Sequence, residues 1–332
     1  MQGPIQEIRV HHEWGVLRET IVGLPAGRFP SFVPAAARNY MPEKAIAFMK
    51  QHRGESLFEA SPDLYRRGIE QVNAAIRILE SRGVSVHQAK ALEPGEEAYL
   101  DYLVDGFVQH FVRDPIIIIG HNIIETELYL PLRRKERFGI RRALKERLEQ
   151  SNARLVSLPP AIPVGEDGNW GPGPFLEGGD VFLLGRDIYV GNSGNASNAA
   201  GITWLRRFLG ADYRVHEVPL SKRFLHLDCV LATPRPGLAL VCQAGFLQGL
   251  PEFLRDWELI EVSAEDAETK LACNGLVLDE KTILVAEELP HLAEALTKAG
   301  QEVLTTPFDA VYLWGGAFRC WHHPLVRESK LD

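Results

Sequence analysis

The feature that most constrains the fold is a local pattern that recurs along the chain: apolar strand, tight polar turn, apolar strand, helix, strand. Residues 177–220 carry it in full, as VFLLG, a turn at Arg186 and Asp187, IYVG, the helical NAAGITWLRRFLG and RVHEVPL. Residues 226–262 repeat it as HLDCVLAT, a turn at PRPG, LALVCQ, a short helix in PEFLRDW, and ELIEV. Residues 273–306 give NGLVLD, a turn at Glu280 and Lys281, TILVAE, the helix PHLAEALTKAG and QEVLTT. Upstream, residues 112–157 give DPIIIIG, a turn at His121 and Asn122, IIETELYL, a basic helix around RRALKERLEQS, and ARLVSLP. The first copy is the least regular: VLRETIVGLP, a long insertion, the helix YRRGIEQVNAAIRILESRG and VSVHQA. Strand-length apolar runs bounded by turns and joined by amphipathic helices belong to the α/β class. Repetition at a similar period signals an internally repeated architecture. Five such units predict one closed ring over 1–332, with approximate repeats at 10–90, 110–160, 175–222, 224–264 and 270–332.

Polar residues interrupt these apolar strands in four separated places: Asp114 in FVRDPIIIIG, Glu177 and Asp180 in FLEGGDVFLLG, His226 and Asp228 in FLHLDCVL, and Cys320 in WGGAFRCW. Asp114, Glu177, His226 and Asn274 each open the first strand of a unit, so a ring would gather them about its axis. Each also has an ordinary reading. Asp114 beside Pro115 could cap a strand, and EGGD could close a tight turn through side-chain hydrogen bonds. His226 and Asp228, two residues apart, would share one face of a strand. Paired glycines before Cys320 allow unusual dihedrals and close backbone approach. Together a thiol, an imidazole and several carboxylates form a chemical set: nucleophile, proton carrier, and anions for a cation.

Composition limits the function. With 332 residues, 45% hydrophobic and 24% charged, the chain is an ordinary globular protein. Its formal net charge of −8 and lack of basic runs argue against nucleic acid as a partner. No apolar run approaches the ~20 residues that span a bilayer, and the start lacks a secretory pattern, so a cytoplasmic protein without membrane association is expected. Cys229, Cys242 and Cys273 lie in apolar segments without C-x-x-C spacing, which predicts buried thiols rather than zinc ligands or disulfides.

The chain resembles the guanidino-group-modifying enzymes of the pentein fold, and among them the amidinotransferases, the arginine:glycine type included. The residues that carry the likeness are EWGVLRETIVG, RDPIIIIGHNIIET, EGGD, RDIYVGNSGNASNAAGITWLRRFLGADYRVHEV, HLDCVL, LVLDEKTILV and GGAFRCW, which together span nearly the whole chain. The resemblance implies a five-bladed, pseudo-fivefold α/β propeller of ββαβ repeats. It implies Cys320 as nucleophile, His226 as general acid and base, Glu177 as its orienting carboxylate, and Asp114 and Asp228 as holders of a guanidinium. Asp180 matches the second acid of its motif, and Asn274 and Arg319 join the substrate-binding set. The implied partners are a small-molecule guanidino donor and an amine acceptor, with no metal or organic cofactor, and a homodimer is compatible with the likeness.

Chemistry gives independent reasons for these residue types. A guanidinium keeps its charge at every physiological pH, with a pKa near ~13, and carboxylates bind it through paired hydrogen bonds. A thiolate is the strongest ordinary nucleophile for its central carbon, and a histidine can protonate the departing amine and then activate the next nucleophile. If an amine attacks the intermediate the chain is a transferase; if water attacks, it is a hydrolase of the deiminase, dihydrolase or dimethylargininase kind. EGGD leans toward the hydrolases and GITWLRRFLGADYRVHEV toward the transferases. The arginines that bind a substrate α-carboxylate in relatives are absent at Asn195 and Gly245, so either another cation such as Arg235 or Arg319 binds it or the substrate lacks one. A non-catalytic binding protein of the same fold would lack the nucleophile. The insertion from Arg28 to Pro62, rich in proline and phenylalanine, reads as a loop that could cover the site, and His322 and His323 as exposed neighbours of the nucleophile.

Overall fold

A computed structural model describes residues 7–151, 153–161 and 170–329. Each recurring unit folds as one small three-stranded sheet, and among the described residues there are five of these. In the second unit Ile116–Ile119 pairs antiparallel with Asn122–Glu125, which pairs parallel with Arg154–Ser157 across the helix Glu136–Glu149. The third unit joins Val181–Leu184, Asp187–Asn192 and Arg214–Pro219, with the helix Ala199–Leu209 as crossover. The fifth joins Leu276–Asp279, Thr282–Ala286 and Glu302–Thr306 across Pro290–Lys298. A hairpin followed by a helical crossover requires this antiparallel-then-parallel order. In the fourth unit, of Leu231–Arg235, Leu238–Val241 and Glu258–Glu261, the crossover holds the 3₁₀ turns Gln243–Gly245 and Glu252–Leu254, the second where a short helix is expected.

The first unit departs from the expected order. Its central strand Val16–Val22 pairs parallel with Ser85–Gln88, and its antiparallel partner is His322–Glu328. The last strand of the chain therefore completes the first sheet instead of ending the fifth unit. Between Val16–Val22 and Ser85–Gln88 runs the helix Pro62–Ser81, which begins on proline, whose missing N–H costs nothing there, and buries Val72, Ala75 and Leu79 along one face.

The first strands are apolar on both faces: Ile116, Ile117, Ile118 and Ile119 are all buried, as are Leu231, Ala232, Leu276 and Leu278. His322–Glu328 packs against Ile116–Ile119, and Leu231–Arg235 against Leu276–Asp279. This explains why the runs are continuous rather than alternating. The insertion is not a loop. It folds into the 3₁₀ helix Ala35–Asn39 and the helices Glu43–Gln51 and Leu57–Ala60. No helix among the described residues is long and apolar enough to cross a membrane.

Candidate active site

The polar interruptions stand in the short turns that lead into the first strands. Asp114 precedes Ile116–Ile119, Glu177 caps the 3₁₀ turn Gly178–Asp180, His226 caps the 3₁₀ turn Leu227–Cys229, and Asn274 precedes Leu276–Asp279. Cys320 lies in the single helical turn Phe318–Trp321 that enters His322–Glu328. His226 and Asp228 thus sit on a 3₁₀ turn and not on one face of a strand.

At the centre, Glu177 Oε2 lies 2.7 Å from His226 Nε2, with both side chains buried. Glu177 Oε1 accepts the Tyr129 N–H at 2.9 Å, which fixes the carboxylate. His226 Nδ1 stands 3.8 Å from Asp114 Oδ1. Burial alone would discourage charge on this imidazole, but the carboxylates of Asp114, Glu177 and Asp180 outweigh it and raise its pKa to about 10. The ring is therefore an imidazolium at neutral pH.

Asp114 Oδ1 accepts the Gly179 N–H at 2.8 Å, and Asp114 Oδ2 meets Arg133 Nη1 at 2.9 Å. Against the cost of burial, His226 and Arg133 hold this carboxyl below its ordinary range. The same arginine donates to Glu136 at 2.8 and 3.1 Å and approaches Glu177 Oε2 at 3.7 Å. Ligand atoms of Asp114, Glu177 and His226 lie within 4.8 Å of one another, close enough for a metal ion. Arg133 already supplies cationic charge to this pair of acids. Arg133 and Glu136 were not singled out from sequence, where they look like ordinary charges beside a basic helix; only their burial marks them.

Cys320 occupies the other side. Its backbone N–H donates to Asn274 Oδ1 at 3.0 Å, and its Sγ lies 3.7 Å from Asp228 Oδ2. Burial first, then the negative charges of Asp228 and Asp114, push this thiol well above its ordinary range. Cys320 is held as a thiol in the free protein, and a bound cation between the two acids would favour its ionisation. Gly315, at φ +101°, supplies the backbone only glycine adopts easily, and a Cβ on Gly316 would meet the Phe111 ring at 2.4 Å.

Three expected ligand-binding residues have other work. Asp180 accepts backbone N–H groups of Leu227 at 3.0 Å and Ser197 at 3.2 Å and is wholly buried, so it ties the His226 turn to the neighbouring loop. Asn274 accepts from Cys320 and donates to the Asp228 carbonyl at 3.2 Å, which positions nucleophile and carboxylate together. Arg319 is saturated: it donates to Asp228 Oδ2 at 3.1 Å, the Gly179 and Val181 carbonyls, and Glu13 Oε2, and lies 3.9 Å over the Phe182 ring. Arg235 is no alternative for a carboxylate, because it pairs with Glu258 at the far end of Leu231–Arg235. His322 and His323 are buried, not exposed. The thiols of Cys229, Cys242 and Cys273 are buried and free.

The insertion reaches this centre. Asn39 donates to Asn195 Oδ1 at 2.9 Å, and Asn195 in turn donates to the Lys222 carbonyl. Burial, followed by the charge of Glu177, raises the Tyr40 hydroxyl above its ordinary range. Gly179 shows how tightly the centre is assembled: an ideal Cβ there would lie 2.7 Å from both Asp114 Oδ1 and His226 Nδ1. Gly179→Ala is expected to keep the fold and lower kcat by ~10²-fold through displacement of these two groups. Circular dichroism alongside steady-state kinetics checks this.

A buried thiol, a carboxylate-held imidazolium and paired acids thus stand together in the entry turns of small α/β sheets. No protein-family model matches the chain. It is 26% identical to L-arginine:L-lysine amidinotransferase of Pseudomonas savastanoi pv. phaseolicola, over 96% of this chain and 94% of that protein. It is 27% identical to inosamine-phosphate amidinotransferase 1 of Streptomyces glaucescens, over 98% of each. The solved structure of an inosamine-phosphate amidinotransferase from Streptomyces griseus superposes with a TM-score of 0.80 at 23% identity, covering 98% of both chains. Along nearly its whole length the chain resembles the amidinotransferases of the pentein superfamily, and it shares their α/β fold.

Proposed function

We propose that this site moves the amidino group of arginine, or of a related guanidino donor, to an amine acceptor through a covalent amidino-thioether on Cys320. Likeness to amidinotransferases along nearly the whole chain supports this reading. The single observation that carries the site assignment is convergence: Asp114, Glu177, His226 with Asp228, and Cys320 enter one centre from four different sheets. We read the five sheets as blades of one catalytic domain about a pseudo-fivefold axis, with the nucleophile and its partners at the strand entrances.

In this reading the donor guanidinium lies between Asp114 and Asp228, each of which keeps lone pairs beyond its present bonds. Its positive charge favours the Cys320 thiolate, which attacks the central carbon. The thiol proton leaves to solvent on ionisation, the carbon–nitrogen bond breaks as the His226 imidazolium protonates the departing amine and becomes neutral, and the amidino group remains on sulfur. An incoming amine then gives its proton to His226, takes the amidino group and restores the thiol. Glu177 holds the imidazole in place and favours its charged form throughout.

The test is product analysis with arginine alone and with arginine plus a mixture of amines. The expected result is ornithine beyond one equivalent only when amines are present, with an amidino-sized mass on the protein when they are absent. Sustained ammonia and citrulline, or urea, without any amine would make the chain a hydrolase.

A further inference from the structure

Arg113, Arg319 and His322, chain neighbours of Asp114 and Cys320, line a second polar interior that the reaction does not use. It comprises Glu13, Arg113, Thr233, Arg319, His322 and Arg327, all facing one small cavity. A second cavity adjoins it and shares Glu13, Arg113 and Arg327. The three arginines are at most 5% exposed.

Their charges do not balance. Arg319 is shared between Asp228 and Glu13. Arg113 reaches the same Glu13 only at 3.4 and 3.5 Å. Arg327 donates to the carbonyls of Gly15 and Val277, at 2.7 and 2.8 Å, and to no carboxylate among the described residues. Three guanidinium groups thus face two carboxylates. Asp114 acts on Arg113 from a distance but is matched by Arg133 and His226, and Asp279 acts on Arg327 without an ion pair. A buried charge without a counter-charge is among the costliest arrangements a fold can hold.

Two donors in this cavity also lack partners among the described residues: the buried Arg113 Nε–H and the Thr233 hydroxyl. His322 Nδ1 donates to the Phe318 carbonyl at 2.7 Å, which leaves its Nε2 as an acceptor. That acceptor suits a water or a hydroxyl proton and does not use the guanidinium. Each cavity has room for little more than one water-sized occupant, which excludes phosphate, sulfate and carboxylates of substrate size.

We propose that this interior binds one monatomic anion of the halide class, chloride under ordinary conditions, between Arg113, Arg327 and Thr233. Burial lowers Arg113 to about 10 and Arg327 to about 9, so both stay charged at neutral pH. Burial and the same guanidinium groups hold His322 well below the ordinary imidazole range, in keeping with an interior short of negative charge.

Crystals of the full chain grown with sodium bromide in place of chloride test the site directly. The expected result is an anomalous bromide peak among Arg113, Arg327 and Thr233. Water there, or bromide at the surface only, overturns the proposal. In solution, the melting temperature is expected to rise saturably with chloride over gluconate at equal ionic strength, which removes general screening. Equal melting in the two salts overturns it as well. Thr233→Val, nearly isosteric and outside the reacting set, is expected to weaken halide affinity about 10-fold, the worth of one buried hydrogen bond. Unchanged halide dependence in that variant would refute the placement.

Discussion

Replacing Cys320 with serine is expected to abolish the amidino adduct and lower amidino transfer by at least ~10⁴-fold, with little change in melting temperature. A hydroxyl fills nearly the space of the thiol and keeps the backbone bond to Asn274, so loss of rate without loss of fold isolates the nucleophile. Intact-mass measurement with arginine checks the adduct, and ornithine release checks turnover. Because burial and the Asp228 and Asp114 charges hold the wild-type thiol above its ordinary range, alkylation by iodoacetamide should be slow at neutral pH and accelerate as pH rises. A serine variant with more than a tenth of wild-type activity would remove Cys320 from the mechanism.

His226→Gln is expected to cost ~10²–10⁴-fold in kcat, the usual range for a general acid and base. The pH dependence carries more information. His226 is raised from 6.5 to about 10, so its acid form persists at neutral pH and is lost as pH rises through about 10. The stability it contributes has the same sign: fully present below about 6.5, declining above that and gone once the pH passes about 10. Glu177→Gln removes the closest acid, and the alkaline limb of the rate profile should then move to lower pH. An NMR titration of the His226 ring in both proteins measures the shift. An unmoved limb would exclude Glu177 as the group that sustains the imidazolium.

Much of this was legible in the sequence because the repeat grammar is local. Continuous apolar runs, turn residues and amphipathic helices identify themselves within a few residues, and so do the turns that carry EGGD, HLD and FRC. What could not be read was long-range or depended on burial. The pairing of Val16–Val22 with His322–Glu328 joins segments roughly 300 residues apart, and nothing in either segment names its partner. Arg319 looks like a free cation next to a nucleophile until the fold places Glu13, Asp228 and two carbonyls around it. Asp180 and Asn274 have the composition of ligand-binding residues, yet their polar atoms are spent on backbone groups. Arg133 and Glu136 sit among many basic and acidic residues, and only burial beside Asp114 distinguishes them.

The pairing of the last strand with the first sheet also sets a timetable. On the ribosome the other sheets can form as their own segments emerge, since each is closed by contacts short in sequence. Val16–Val22 must wait for His322–Glu328, and Cys320 lies in the turn just before that strand. Cys320 is therefore made after the acids and the imidazole, and the strand that follows it pairs with one made roughly 300 residues earlier. A nascent chain carries the acids and the imidazole without the sulfur, so under the proposed mechanism no guanidino donor meets a competent thiol until synthesis has passed residue 328.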